Sequence, residues 1–475
     1  MESGQFKRRL RVPGCERAHH TTPTREDGCC HRVLRYPVYL AVDGHRLMSL
    51  PEHRLRCQGC DRVYEDDGFI LECPAQHEPA LLVAEYSDKQ FKPDVRAAGL
   101  FRYRKWMPGT RLLSGAGSGV TYKSERLNRV IGLGNVWVAF NGYWPEKGAT
   151  LQTTTFKDLE AWSVLSRIPE PHDGVLVVAS AGNTAAAFAR ACSLNNIPCL
   201  IVIPEAGLPN LQFPDAIDPC VKILSLVGFT DYFDAIALAD RISRIDGFFP
   251  EGGVKNIARR DGLGTTVLTA VETIGQIPRY YFQAISSGAG GIAAYEASRR
   301  LAGDGRFGTE PPRLMLSQNL PFVPVYTSWK SRRRELVEIG DGDAKKQTQQ
   351  IAAHVLSNRR PPYSVGGGLF DVLTETHGDV LTANNVETLR AQRLFEETEG
   401  IDIDPAGAVA LATLIKAVRY GKVKRDALVL LNITGGGRDR QQLGKKLVAP
   451  RPALQLDEKE ILIDETLEKV VGLFR

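Results

Sequence analysis

From about residue 130 onward, short and continuously apolar runs alternate with longer helical stretches, and that alternation leaves few folds open. Residues 136–141, 174–179, 199–203, 221–226, 280–286, 314–318 and 428–434 read as strands. Residues 184–194, 232–245, 292–301 and 406–420 read as helices between them. A strand without polar alternation needs cover on both faces. Repeated strand–helix units therefore predict an α/β fold, a parallel sheet flanked by helices. Ligands of such sheets bind beyond the carboxyl ends of the strands.

The rest of the chain divides around this region. Residues 1–32 carry His19, His20, Cys29 and Cys30 but no hydrophobic period, and read as a variable leader. Residues 33–94 read as a small β subdomain, with strand-like runs at 36–42, 69–72 and 80–86. Residues 95–447 form the α/β region and 448–475 a C-terminal tail. Segment 320–365 breaks the rhythm: it is basic at Lys330 and at 332–334, then rich in Asp, Gly and Pro. It is expected at the mouth of a site or on the surface.

Charge and cysteine usage narrow the partners. Sixty Lys and Arg against 55 Asp and Glu leave a formal net charge of +5 over 475 residues, too little to demand nucleic acid or a membrane surface. No apolar run approaches the ~18 residues of a membrane helix. Nine scattered cysteines are not a disulfide framework and suit a reducing compartment, so a cytoplasmic location is expected. Cys57, Cys60, Cys73 and His77 follow the pattern C-x2-C-x12-C-x3-H, which has zinc-ligand residue types. A His stands where a second C-x2-C would strengthen the signal. The four are zinc candidates in a subdomain whose metal site has decayed, and no bound metal is expected.

Four segments carry chemistry. Ser180, Ala181, Gly182, Asn183 and Thr184 join a strand to a helix. Small residues let backbone approach a ligand, and a helix start offers free N–H groups to an anion. Ser286, Ser287, Gly288, Ala289, Gly290 and Gly291 repeat that arrangement, without the spacing of a dinucleotide fingerprint or a P-loop. Thr434 ends a strand just before three glycines. Lys157 follows three threonines in the first turn of a helix, where the dipole disfavours a cation. Its amine is suited to a Schiff base with an aldehyde cofactor. Taken singly, each loop is also what a tight strand–helix turn looks like, and Lys157 is also a solvated surface lysine.

In this order, the four segments resemble pyridoxal-phosphate enzymes of the tryptophan synthase β and threonine synthase fold, fold type II. The resemblance covers roughly residues 95–445. Segments 99–108 and 251–265 resemble threonine-synthase-like proteins, while 140–149 and 368–373 look most like the cysteate synthase branch. The resemblance implies two interleaved parallel-sheet α/β domains and a pyridoxal 5′-phosphate cofactor. It implies a transferase that replaces the phosphate of O-phospho-L-serine with sulfite, giving L-cysteate, and that assembles as a homo-oligomer. Lys157 would be the Schiff-base lysine and general base, and Asn183 would bond the cofactor's 3′-oxygen. Ser287, Gly288, Ala289, Gly290 and Gly291 would hold the cofactor phosphate, and Thr434 would meet the pyridine nitrogen. A neutral hydroxyl there favours expulsion of a β leaving group over transamination. Ser180, Ala181, Gly182 and Thr184 would hold the substrate carboxylate. Lys147, Lys255, Arg259 and Arg260 are candidates for the substrate phosphate. Two other functions fit the same residues. One is threonine synthase, acting on O-phosphohomoserine with water. The other is a non-catalytic protein that binds a phosphorylated ligand or a partner through a zinc ribbon.

Overall fold

A computed structural model describes residues 52–444 and 446–475. The leader at 1–32 and the strand expected at 36–42 lie outside the described residues.

Two sheets form the body. In one, Phe248–Pro250, Val175–Ala179, Cys199–Pro204, Val221–Leu226 and Leu454–Leu456 lie side by side, all parallel. In the other, Asp379–Ala383, Arg313–Asn319, Tyr280–Ala284, Val429–Ile433 and Val136–Phe140 run parallel, with Val120–Lys123 antiparallel at the edge. The second sheet takes its strands from both sides of segment 175–250, which supplies four strands of the first, so the two sheets alternate along the sequence. The apolar strands are buried almost throughout, as cover on both faces requires.

Helices Lys157–Arg167, Ile257–Ile274 and Ala289–Asp304 pack beside the sheets, and the second is buried along most of its length. Close approach depends on Gly262, where a Cβ would collide with the Leu159 carbonyl. That contact brings the helices carrying Lys157 and Arg259 together.

Two local expectations change. Residues 69–72 are not a strand: Phe69 packs its ring 4.8 Å from His172 and 5.3 Å from Phe249, and Arg167 Nη2 donates to the Ile70 carbonyl at 2.8 Å. These residues are held by side chains of the α/β body, not by a neighbouring strand. The small sheet is built instead from Val63–Tyr64, His53–Cys57 and Leu82–Tyr86. The expected tail is part of the fold: Leu454–Leu456 extends a sheet, and Leu456, Ile461 and Val470 enter its core. Segment 320–365 contributes helices Pro324–Lys330 and Asp341–Gln350, and its residues Lys345 and Val355 face the cavity described below. Among the described residues, no helix is long and apolar enough to cross a membrane.

Candidate active site

The backbone before Lys157 is tied to the end of the Val429–Ile433 strand. Phe156 N–H donates to the Thr434 carbonyl at 3.0 Å, and Gly436 N–H donates to the Thr154 carbonyl at 2.9 Å. Thr154, fully buried, adopts φ +61°, a conformation that costs a β-branched residue energy and persists only under such constraint. The helix then opens at Lys157 itself. Asp158 and Glu160 in the first turn offset the unfavourable placement of a cation there. Asp158 is buried and accepts from the Thr153 N–H at 3.1 Å, and burial pushes its carboxyl up to about 6.

Glu160 organises the charges. Lys157 Nζ lies 3.0 Å from its Oε2, and Arg259 Nη1 lies 3.3 Å from its Oε1. The Thr184 hydroxyl donates to the same Oε1 at 2.8 Å. Arg259 Nε donates to Glu251 at 2.7 Å. Burial alone would raise the Glu160 carboxyl, but Arg259 and Lys157 outweigh it and hold it below its ordinary value. For Lys157 burial is the largest influence: it pushes the amine's pKa down, Arg259 adds to this, and Glu160 opposes it.

Across the cleft, loop 180–184 is shaped by Ser180, whose Oγ accepts from Gly182 N–H at 3.0 Å and Ala185 N–H at 2.9 Å. Gly182 has φ +148°, and a side chain there would meet Asn210. Asn183 opens the following helix, its Oδ1 3.5 Å from Arg438 Nη2. Loop 286–291 turns at Gly288, which has φ +82° and packs against Leu369, while Gly290 lies against the Gln283 amide.

One cleft is lined by Lys157, Ser180, Ala181, Gly182, Asn183, Thr184, Arg259, Ser287, Gly288, Ala289, Gly290 and Thr434. The predicted site residues thus largely converge, but four do not. Gly291 lies outside the cleft: its N–H donates to the Gly288 carbonyl at 3.0 Å, and its missing side chain admits Leu316. Lys147 rests its amine 4.3 Å from the Tyr122 ring and 4.5 Å from the Trp144 ring. Lys255 pairs with Glu72 at an exposed position. Arg260 is fully buried with both Glu296 oxygens 3.0 Å from its Nε, and its other nitrogens donate to the Val254 and Leu82 carbonyls. Each of these three cations is engaged elsewhere. Arg259 alone of the four candidates reaches the cleft, and it is held by two carboxylates.

The cleft opens into a cavity of ≈ 550 Å³ that shares Ala181, Asn183, Tyr232, Val355 and Ala406 with it. Lys345 and Arg438 line this outer cavity, and neither is among the sequence candidates. Lys345 Nζ is 3.0 Å from Asp234, and Arg438 Nε is 2.7 Å from Asp404. Lys345 sits in a polar helix without a motif. Arg438 directly follows Gly437, a signal that could have found it.

The residues fit pyridoxal phosphate. A shielded lysine amine faces one wall, and a loop whose glycines leave no room for side chains presents backbone at another. Thr434 supplies a neutral hydroxyl. Outside the cleft, Cys57, Cys60, Cys73 and His77 also converge, their ligand atoms within 4.8 Å of one another, where remnants of a decayed site were expected.

Residues 146–435 match the family model described as "Pyridoxal-phosphate dependent enzyme". Cysteate synthase of Methanosarcina acetivorans is 44% identical over 412 residues, covering 86% of this chain and 98% of the relative. The Methanosarcina barkeri cysteate synthase is 44% identical over 413 residues, covering 87% and 98%. Among solved structures, maize serine racemase superposes with a TM-score of 0.52 at 16% identity, covering 69% of this chain and 90% of that one. The processed form of threonine deaminase isoform 2 from Solanum lycopersicum also gives 0.52, at 17% identity, covering 78% and 97%. At that identity the two structures speak for the fold alone. With its lysine, glycine loop and strand-end threonine in one cleft, and near-full-length similarity to these relatives, the chain belongs to the cysteate synthase family of pyridoxal-phosphate-dependent enzymes.

Proposed function

We propose that this chain converts O-phospho-L-serine and sulfite to L-cysteate and phosphate. The observation that carries the reading is the near-full-length similarity to cysteate synthases, within which Lys157 and Thr434 line the same cleft. In the net reaction the Cβ–O bond breaks, phosphate leaves, and a Cβ–S bond to sulfite forms. A proton leaves Cα and later returns. Bound pyridoxal phosphate supplies the electron sink that makes the Cα proton acidic.

Lys157 Nζ takes and returns that proton as the general base. Its lowered pKa, caused mainly by burial, raises the share of neutral amine near neutral pH. Glu160 keeps the protonated form paired when the proton is on the lysine. Thr434 would offer the cofactor's ring nitrogen a neutral hydroxyl and not a carboxylate, which would suit elimination and replacement. The backbone N–H groups at the start of the Asn183–Asn195 helix hold the substrate carboxylate. Lys345 and Arg438 in the outer cavity meet the phosphate and then the incoming sulfite, anions of similar size and charge.

The test is to incubate the holoenzyme and phosphoserine with sulfite, sulfide or no added nucleophile, and to quantify cysteate, cysteine, pyruvate and phosphate. Cysteate and phosphate in equal amounts, dependent on sulfite, is the expected result. Threonine from O-phosphohomoserine, with no cysteate from phosphoserine and sulfite, would overturn it.

A further inference from the structure

The small N-terminal sheet carries a second cluster, remote in chemistry from the cofactor cleft. Cys57 ends the His53–Cys57 strand, and the chain turns tightly through Gln58 and Gly59 to Cys60. Gly59 N–H donates to Cys57 Sγ at 3.3 Å, and Asp61 N–H donates to the Cys57 carbonyl at 3.0 Å, with Asp61 at φ +58°. One backbone donor thus meets the Cys57 sulfur and the other its carbonyl, and together they fold the turn around this residue. Gly59 is needed for the fourth member to approach, since a Cβ there would stand 3.0 Å from the His77 ring.

The distances match a metal-sized centre. Cys60 Sγ and Cys73 Sγ are 3.7 Å apart, and Cys57 Sγ and His77 Nε2 are 3.3 Å apart. Tetrahedral zinc, with bonds of about 2.3 Å to sulfur and about 2.0–2.1 Å to nitrogen, sets ligand separations of about 3.8 Å and about 3.6 Å. A disulfide would instead bring its sulfurs to about 2.05 Å. His77 Nδ1 lies 2.6 Å from the Glu78 carbonyl, which only accepts, so Nδ1 carries the proton and Nε2 offers its lone pair to the cluster. The Tyr64 hydroxyl, 3.2 Å from Cys73 Sγ, is placed to donate to a thiolate from outside the ligand set.

We propose that Cys57, Cys60, Cys73 and His77 bind one Zn²⁺ ion. Four protein ligands close the coordination sphere, so the ion is structural and takes no substrate.

The position tells what it braces. Gln58 N–H donates to the Leu81 carbonyl at 2.9 Å, Leu81 N–H to the Gly366 carbonyl at 2.8 Å, and Gly366 N–H to the Pro79 carbonyl at 2.9 Å. Two residues on from Gly367, which packs against Gln58, Leu369 packs against Gly288 of the cofactor-phosphate loop. The ion therefore anchors a path of backbone bonds and packing from the knuckle to the loop at 286–291. Its loss lowers thermal stability and weakens cofactor retention together.

The test starts with the full chain, purified with pyridoxal phosphate and without chelators, its metals measured by mass spectrometry. One zinc per chain is expected, released by a mercurial thiol reagent. Cobalt exchanged into the same chain should show the absorption of tetrahedral cobalt bound to thiolate. Cys60→Ser should lose the zinc and lower the melting temperature, whereas His77→Cys, which keeps four ligands, should retain it. Less than a tenth of an equivalent of zinc in the wild-type chain after zinc reconstitution would overturn the proposal. So would iron in its place, a Cys60–Cys73 disulfide in the intact protein, or undiminished zinc in soluble Cys60→Ser.

Discussion

Lys157 Nζ lies 3.0 Å from the Glu160 carboxylate, three residues further along the same helix, and that carboxylate also faces Arg259 at 3.3 Å. Glu160 is fully buried. The lysine thus shares a buried counter-charge with an arginine, and its proton affinity is set first by burial and then by these two opposing neighbours.

Lys157→Ala should lose borohydride-fixable cofactor and lower turnover by about 10³-fold or more, the scale of a lost general base. Peptide mapping after borohydride reduction of the wild-type chain should place the cofactor on residue 157. A label on another lysine would contradict the assignment.

Glu160→Gln removes the larger of the two carboxylate influences that raise the Lys157 pKa, Glu251 being the lesser, and leaves burial and Arg259, which lower it. The amine then loses its proton at lower pH, so the acid limb of the kcat–pH profile should move to lower pH. A profile that keeps its position while kcat falls would show that Glu160 acts only through folding.

Thr434→Asp should slow sulfite-dependent phosphate release and introduce slow transamination, because a carboxylate would keep the ring nitrogen protonated. The readouts are phosphate, cysteate and pyridoxamine phosphate. Unchanged cysteate formation would mean that Thr434 does not face that nitrogen.

Lys345→Gln should raise KM for phosphoserine and for sulfite together by about tenfold or more, the scale of a charged hydrogen bond. Lys147→Gln should leave both unchanged, since its amine rests on the Tyr122 and Trp144 rings. A KM effect in the second variant and none in the first would reverse the two roles.

Asp66 joins the small sheet to the body: its carboxylate accepts from Arg167 at 2.6 and 3.0 Å and lies 2.8 Å from His53 Nε2. Burial acts to raise the carboxyl's pKa, but the His53 hydrogen bond and Arg167 prevail and hold it well below the usual carboxylate range. A lowered folded-state pKa stabilises above the unfolded value of about 3.9, and that contribution is lost as pH falls toward the folded value. Asp66→Asn strands the buried Arg167 and should cost about 3–5 kcal/mol at neutral pH. The gap in urea midpoint between variant and wild type should shrink below about pH 4. A gap that is constant with pH would show that the ion pair contributes nothing to folding.

The alternation of apolar strands and helices is a local property, so the seven strands at 136–141 through 428–434 were legible with their ends displaced by a residue or two. The loops at 180–184 and 286–291 were legible for the same reason: small residues between a strand and a helix have few local uses. The resemblance of these segments to a known family then placed Lys157, Asn183 and Thr434 in one site, and the tertiary structure brings them to one cleft. Charge partners are not local. Arg259 and Arg260 are adjacent in sequence, yet one faces the cleft and the other is spent on Glu296 and two carbonyls, because successive helical residues point in different directions. Lys345 reaches the cavity only because segment 320–365 folds back over it. The thiols of Cys57, Cys60 and Cys73 could be counted in the sequence, but their convergence with His77 depends on a turn, a glycine and a carbonyl that only the folded chain supplies. Residue types and spacing determined which chemistry was possible, and tertiary packing decided which groups are free to perform it, because a charge or a thiol is defined by what lies within a few ångströms of it.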